Sequence, residues 1–276
     1  MTRKVSVGGV QMERSFGDKA YNLRQGCEAI RRAAGAGAEV VALPELFSTG
    51  YFPGGGHVDD RYFDWAEPVP GPTTDAIHEL AGDLGVSVVA PLFERDPLNQ
   101  LFYNSAVVLG PEGVLGCYRK RHIPSTANAL EKHYFSVGNL GYGVFETPRA
   151  RIGVSICYDR HFPETFRHLA LSGAEVVFSV NNTSSPRSKR MWNPEIQVAC
   201  SSSGIFIVQV NAVGEVPAFF GRSFACSPLG EVLTELAEGE EGVLVREIDL
   251  QQIPEARAQY GSIHDTNRED LGLSEA

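Results

Sequence analysis

Short apolar runs rich in valine and isoleucine punctuate the chain: VSVGGVQM (5–12), EVVALPE (39–45), VSVVAPLFE (86–94), NSAVVLG (104–110), RIGVSIC (151–157), EVVFSVNN (175–182), GIFIVQVNAVG (204–214), GRSFACSPLGEVL (221–233) and GVLVREIDL (242–250). Several are apolar at almost every position, the pattern of strands buried on both faces. Between some of them the apolar period becomes helical. Residues 18–36 place Leu23, Cys27, Ile30 and Ala34 on one stripe behind Asp18, a residue suited to capping. Residues 72–84 do the same with Ile77, Leu80, Ala81 and Leu84. Pro163 is placed to open a third helix ending near Gly173, and Asn193-Pro194 a fourth ending at Gly204. Strand–helix alternation makes the chain an α/β protein. Turn chemistry at 110–113 and 227–230 adds hairpins, so the sheet is expected to be mixed. No linker, repeat or low-complexity tract divides the chain, which reads as one domain over residues 1–262 and a polar, acidic tail over 263–276. The loops at 48–71 and 122–150 are long and rich in glycine, proline and aromatics. Such loops in a compact domain are more often functional than idle.

Composition narrows the partners. With 276 residues, 43% of them hydrophobic, the chain can bury one large core or two small ones. A net charge of −10 repels nucleic acid and anionic membranes, which leaves a small-molecule substrate as the expected partner. No run approaches the ~20 apolar residues of a membrane span, and MTRKVSVGGVQM does not read as a signal peptide. Five cysteines, an odd number with no CxxC pair, argue against a disulfide framework or a zinc ribbon and for a reducing, cytoplasmic setting.

Three residues with chemical potential stand at strand ends: Glu45 after EVVALP, Cys157 after RIGVSI, and Lys120 in YRKRHIP after a hairpin. Each has an ordinary explanation alone. Glu45 can cap the next segment, Lys120 can belong to a solvated basic triplet with Arg119 and Arg121, and Cys157 can be an inert core thiol. Together they suggest more, because functional groups of open α/β sheets gather beyond the carboxyl ends of strands. A thiol with a pKa of ~8.5 is mostly protonated near neutrality and needs a base or a cation. Glu45 can take the proton, and Lys120 can stabilise the thiolate and then an oxyanion. The set is complete for acyl transfer with no metal and no organic cofactor.

VVALPELFSTGY, YRKRHIP, LEKHYFSVGN and ICYDRHFPE, in this order and spacing, resemble the nitrilase, or carbon–nitrogen hydrolase, superfamily, and the resemblance covers nearly the whole chain. It implies a four-layer α-β-β-α sandwich with two mixed sheets and a Glu45–Lys120–Cys157 triad. It also implies that Glu131 positions the lysine, that the Tyr158 backbone N–H helps hold the oxyanion, and that the chain pairs into a homodimer or higher homo-oligomer. The implied reaction begins when Glu45 deprotonates Cys157. The thiolate attacks an amide or ureido carbonyl, ammonia leaves, and water hydrolyses the thioester.

The residues after the cysteine bear on the substrate. True nitrilases of the family carry Trp-Glu there, whereas this chain carries Tyr158-Asp159. CYDRHFPETFR resembles the N-carbamoyl amino-acid amidohydrolases and β-ureidopropionase-like members, in which the residue at the Arg160 position grips the substrate carboxylate. A planar guanidinium suits that task. By the same resemblance His161, His122 and Asn182 fall on substrate-pocket positions. Arg160 can equally pair with Asp159 or Glu164 as scaffold, the two histidines can be supporting residues, and Asn182 can cap a turn. Two alternatives stay open: an ω-amidase or deaminated-glutathione-type amidase, and a non-catalytic or thiol-redox protein on the same fold.

Overall fold

The computed structural model describes residues 3–54, 56–126, 129–215 and 218–272. In chain order the first half runs β1 (Lys4–Gln11), α1 (Lys19–Gly35), β2 (Val40–Ala42), α2 (Pro72–Leu84), β3 (Ser87–Arg95), β4 (Phe102–Gly110), β5 (Gly113–Arg119) and the single turn α3 (Glu131–Tyr134). The second half runs β6 (Val144–Glu146), β7 (Arg151–Ile156), α4 (Pro163–Leu171), β8 (Val176–Asn181), α5 (Pro186–Ser203), β9 (Phe206–Asn211), β10 (Val213–Glu215), β11 (Ala218–Phe220), β12 (Phe224–Cys226), β13 (Val232–Glu235), β14 (Gly242–Asp249) and α6 (Gln252–Tyr260).

Two six-stranded mixed sheets result, ordered β14-β1-β2-β3-β4-β5 and β13-β12-β9-β8-β7-β6. Each holds three parallel strands, β1-β2-β3 and β7-β8-β9, with antiparallel strands at the margins. The apolar runs explain the layering. Val7, Val40, Val89 and Val108 of the first sheet meet Val154, Phe178 and Val208 of the second in one buried cluster. The opposite faces are also apolar and are covered by helices. Ile30 of α1 and Ile77 of α2 pack on the first sheet, and Phe166 of α4 and Ile196 of α5 pack on the second. This is a four-layer α-β-β-α sandwich. β5 is antiparallel to β4, which is antiparallel to β3, so β2 and β5 run the same way in the first sheet, as β7 and β8 do in the second, and side-chain bonds such as Asn182 to the Glu45 carbonyl and Tyr118 to Asp159 bring the ends of the two pairs together.

Some boundaries differ from the sequence reading. β2 ends at Ala42, so Glu45 stands on the loop beyond it. The fourth long helix starts at Pro186, because Ser185 accepts a hydrogen bond from Ser188 N and Pro186 takes the first turn. Pro194 lies inside it. In α1 the buried face is Asn22, Gly26, Ala29, Ile30 and Ala33, while Leu23, Cys27 and Ala34 sit at its edge. A Cβ on Gly26 would meet Phe47 at 3.0 Å, and the Asn22 amide bonds the Ser15 and Ser48 carbonyls, so close approach and polar tethering shift the stripe. The segment read as a tail begins docked: Ile263 is buried, and Arg167 of α4 donates to Thr266 Oγ1 at 2.9 Å. Residues 273–276 of that tail lie outside the described residues.

The two long loops pack against each other. Phe52 touches Tyr62, Trp65, Phe93, Tyr134 and Phe135 within ring-centroid distances of 5.0–5.7 Å. This aromatic lobe fixes the segments that carry Tyr51 and Glu131. Among the described residues no helix is long and apolar enough to cross a membrane.

Candidate active site

Cys157 is the first residue of a 3₁₀ turn, Cys157–His161, that follows β7 directly. Its φ is 49°, a left-handed conformation that side-chain-bearing residues rarely adopt. Leu46, next to Glu45, has φ 47°. Strain of this kind costs on the order of 1–3 kcal/mol and persists only where the surroundings enforce it. Here Asp159, fully buried, enforces it. Its carboxylate accepts from Tyr118 OH at 2.7 Å, Ile156 N at 3.0 Å, His122 N at 3.0 Å and His122 Nδ1 at 2.8 Å, closing the turn onto the end of β5.

Lys120 and Glu45 are buried completely. Lys120 Nζ lies 2.8 Å from Glu45 Oε1 and 2.7 Å from Glu131 Oε2. Tyr51 OH donates to Glu131 Oε1 at 2.7 Å, and Asn104 Nδ2 donates to Glu45 Oε1 at 2.8 Å. Glu45 Oε2 is buried and has no hydrogen-bond partner among the described residues, so one acceptor oxygen is left over. The Glu45 carbonyl is held by two donors, Arg14 Nη1 at 2.9 Å and Asn182 Nδ2 at 2.8 Å. The loop of the first sheet that carries Glu45 is thereby clamped to the second sheet.

The charges are coupled. Burial alone would lower the Lys120 pKa, but the carboxylates of Glu131 and Glu45 outweigh it and hold the ammonium well above its usual range. Burial pushes Glu131 up to about 7, against the pull of Lys120 and with help from the Glu45 charge. Burial, then the Glu45 charge, pushes the Cys157 thiol up to about 11, while Lys120 and Arg160 pull it down. A thiol so placed rests protonated and can lose its proton to an adjacent base during attack.

Cys157 opens into a cleft of about 210 Å³ walled by Tyr51, Glu131, Tyr158, Arg160, His161 and Asn182. Arg160 is almost fully buried. Its Nη1 donates to Cys157 O at 3.0 Å and Asn181 Oδ1 at 3.1 Å, and its Nε lies 3.2 Å from Glu195 Oε2. Its pairing is therefore with Glu195, not with Asp159 or Glu164. His161 Nδ1 also meets Glu195, at 2.6 Å. The residues expected from the sequence thus divide. Glu45, Lys120, Glu131, Cys157, Tyr158, Arg160, His161 and Asn182 come together around one cleft or directly beneath it. Asn182 is committed to Glu45 O and Arg14. His122 faces a neighbouring cavity, stacks on Phe162 at 3.6 Å and serves Asp159. Sequence reasoning missed Tyr51, Asn104, Arg14 and Glu195. Tyr51 closes the VVALPELFSTGY motif and was within reach. The other three are ordinary polar residues with no pattern to mark them. Among the described residues no cluster of three or more histidine, cysteine or carboxylate side chains is disposed to hold a metal.

Known proteins resemble the chain in sequence and in fold. The sequence profile of the Carbon-nitrogen hydrolase family matches residues 6–258. The chain is 38% identical over 249 residues to a protein named nitrilase from Pyrococcus abyssi, covering 89% of this chain and 90% of that one. It is 34% identical over 287 residues to N-carbamoylputrescine amidase of Solanum lycopersicum, covering 98% and 94% respectively. Among solved structures, the carbon–nitrogen hydrolase from Helicobacter pylori G27 superposes with a TM-score of 0.89 at 27% identity, covering 99% of this chain and all of that one.

Proposed function

Since the chain belongs to the carbon–nitrogen hydrolase family, we propose that it hydrolyses the carbamoyl group of an N-carbamoyl amino acid, with Cys157 as nucleophile. The observation that carries this reading is the buried Lys120 bridging Glu45 and Glu131 beside the half-buried thiol. Glu45 takes the thiol proton on its unpartnered oxygen, and Sγ adds to the ureido carbon. The carbonyl π pair moves to oxygen, where Lys120 and the Tyr158 N–H hold it. The adduct collapses, ammonia departs with the proton from Glu45, and an S-linked carbonyl remains on Cys157. For a ureido substrate this is a thiocarbamate; for an amide it is a thioester. Glu45 then deprotonates water, which displaces the thiol, and the carbamic acid released loses carbon dioxide to give the amine. Glu131 and Tyr51 keep Lys120 in place through both halves.

Arg160 and His161 on the cleft wall suit a substrate carboxylate, and Glu195 behind them fixes both side chains. Nη1 and Nε of Arg160 are already engaged, so the grip falls to Nη2. A second reading follows from the same carboxylate. Glu195 partly neutralises Arg160, which suits a carbamoylated amine such as the substrate in the tomato relative's name. Ammonia release from N-carbamoyl-β-alanine, N-carbamoyl-D- and L-amino acids, N-carbamoylputrescine, 2-oxo acid ω-amides, simple amides and a nitrile, each against Cys157→Ala, separates the readings. Preferred turnover of a carbamoyl amino acid supports the first. Preference for N-carbamoylputrescine retires Arg160 as a carboxylate clamp, turnover of amides or nitriles alone discards the carbamoylase, and activity surviving in Cys157→Ala discards the nucleophile.

A further inference from the structure

Strand β7 has the candidate nucleophile at one end and a second cavity at the other. The cavity, about 420 Å³, lies where β7 and β8 begin and β14 ends, ~20 Å from Cys157 along a six-residue strand. In a chain of net charge −10 its wall is conspicuously basic: Arg3, Arg151 and Arg257 face it, with Glu175 as the acidic member and Leu250 and Ile253 as an aliphatic side. That single carboxylate is fully used. Glu175 Oε1 accepts from Arg3 Nη1 at 2.6 Å and lies 3.7 Å from Arg151 Nη2. Oε2 accepts from Arg3 Nη2 at 2.8 Å and Arg151 N at 2.9 Å. The Glu146 charge also acts on Arg3 and stands opposite Arg151 across β6 and β7, while Arg151 reaches Glu175 only at 3.7 Å, so the least compensated guanidinium is that of Arg257.

Arg257 shows the deficit. Its Nε donates to Gly204 O at 3.1 Å, while Nη2 is buried with no acceptor among the described residues. Burial and the neighbouring Arg151 both lower its pKa, and Glu175 offsets them only in part. The like charges of Arg151 and Arg257 repel, and an anion bound between them relieves that repulsion. We propose that this cavity binds a small phosphate-type oxyanion between Arg151 and Arg257, with any organic body of the ligand lying on Leu250 and Ile253. Forked N–H groups match such an oxyanion, and the volume falls within the range of small-molecule sites.

The test is thermal unfolding and calorimetric titration of the full chain with inorganic phosphate, ionic strength being held constant with sodium chloride. Wild-type protein should show a saturable rise in Tm and measurable heat. Arg151→Gln and Arg257→Gln should each lose at least half of the Tm rise and weaken binding at least tenfold. Because Arg257 is half-buried and its variant can misfold, the more exposed Arg151→Gln is sufficient alone. An equal rise in Tm for Arg151→Gln, or none in the wild type, overturns the site. Equal binding of malonate overturns the phosphate assignment. Neither readout depends on ammonia release, so the outcome is independent of the proposed activity.

Discussion

The Cys157 thiol sits in a field that opposes its own ionisation. Burial and the Glu45 carboxylate push it up to about 11, and the cations of Lys120 and Arg160 recover only part of that. The same carboxylate that hinders the resting thiolate is the group proposed to accept its proton. Glu45→Gln therefore has two opposite effects. The thiol pKa falls, so at pH 8 iodoacetamide should alkylate Cys157 faster than in the wild type, while ammonia release drops by roughly 10²–10⁴-fold, as loss of a general base does. Unchanged or slower alkylation would place the Glu45 charge too far from the sulfur to act on it. Glu131 yields a pH prediction. Its folded pKa of about 7 lies above the ordinary glutamate value, mainly through burial. The stability it contributes is thus fully present below the ordinary range and is lost as pH rises through about 7. Glu131→Gln cannot ionise, so the urea midpoint of wild type minus variant should fall between pH 4.5 and 7.5; a flat difference refutes the shift. At this scale the sequence was legible where residue type is rare at a strand end, as for Glu45, Lys120 and Cys157. It was silent on Asn104 and Glu195, whose roles exist only as hydrogen bonds to distant residues.

Elements place these residues by close backbone approach as much as by apolar packing. Lys120 follows the last residue of β5, and its carbonyl accepts from Gly138 N at 2.9 Å. A Cβ on Gly138 would lie 2.0 Å from Arg119 O and 2.8 Å from Lys120 O. Neither atom can retreat, because Arg119 is tied to Glu94 and Asp96 and Lys120 to its two carboxylates. Gly138→Ala should therefore displace the end of β5, cost about 1–3 kcal/mol as overpacking does, and depress turnover well beyond the loss of folded protein. Chemical denaturation and ammonia release on one preparation check this; wild-type turnover per folded molecule would free Lys120 from its dependence on the glycine. The strands themselves were readable because runs buried on both faces leave an unbroken apolar signature. The start of α5 was not, since Asn193-Pro194 and Ser185-Pro186 carry the same local signal and only the latter has a hydroxyl that caps the helix.

For the whole molecule, the decisive fact is that the cleft straddles two sheets. Glu45 and Lys120 follow strands of the first, and Cys157 and Asn182 follow strands of the second, joined by the inter-sheet core and by clamps such as Asn182 to the Glu45 carbonyl. Nothing local in the sequence announces this. The pairing of β1 with β14 joins Lys4 to Asp249, and the face-to-face stacking of the sheets was expected from family resemblance rather than from periodicity. The architecture makes the layers unequal for function. Phe178→Ala empties space between the sheets, whereas Ile77→Ala empties space between α2 and the first sheet. Each should cost about 2–5 kcal/mol, but only the former lets the two halves of the cleft shift relative to each other. Compared at a temperature where both variants are still folded by circular dichroism, Phe178→Ala should lose kcat several-fold more than Ile77→Ala. Equal kcat values would mean that the loop clamps alone, and not the packing between the sheets, hold Cys157 against Glu45.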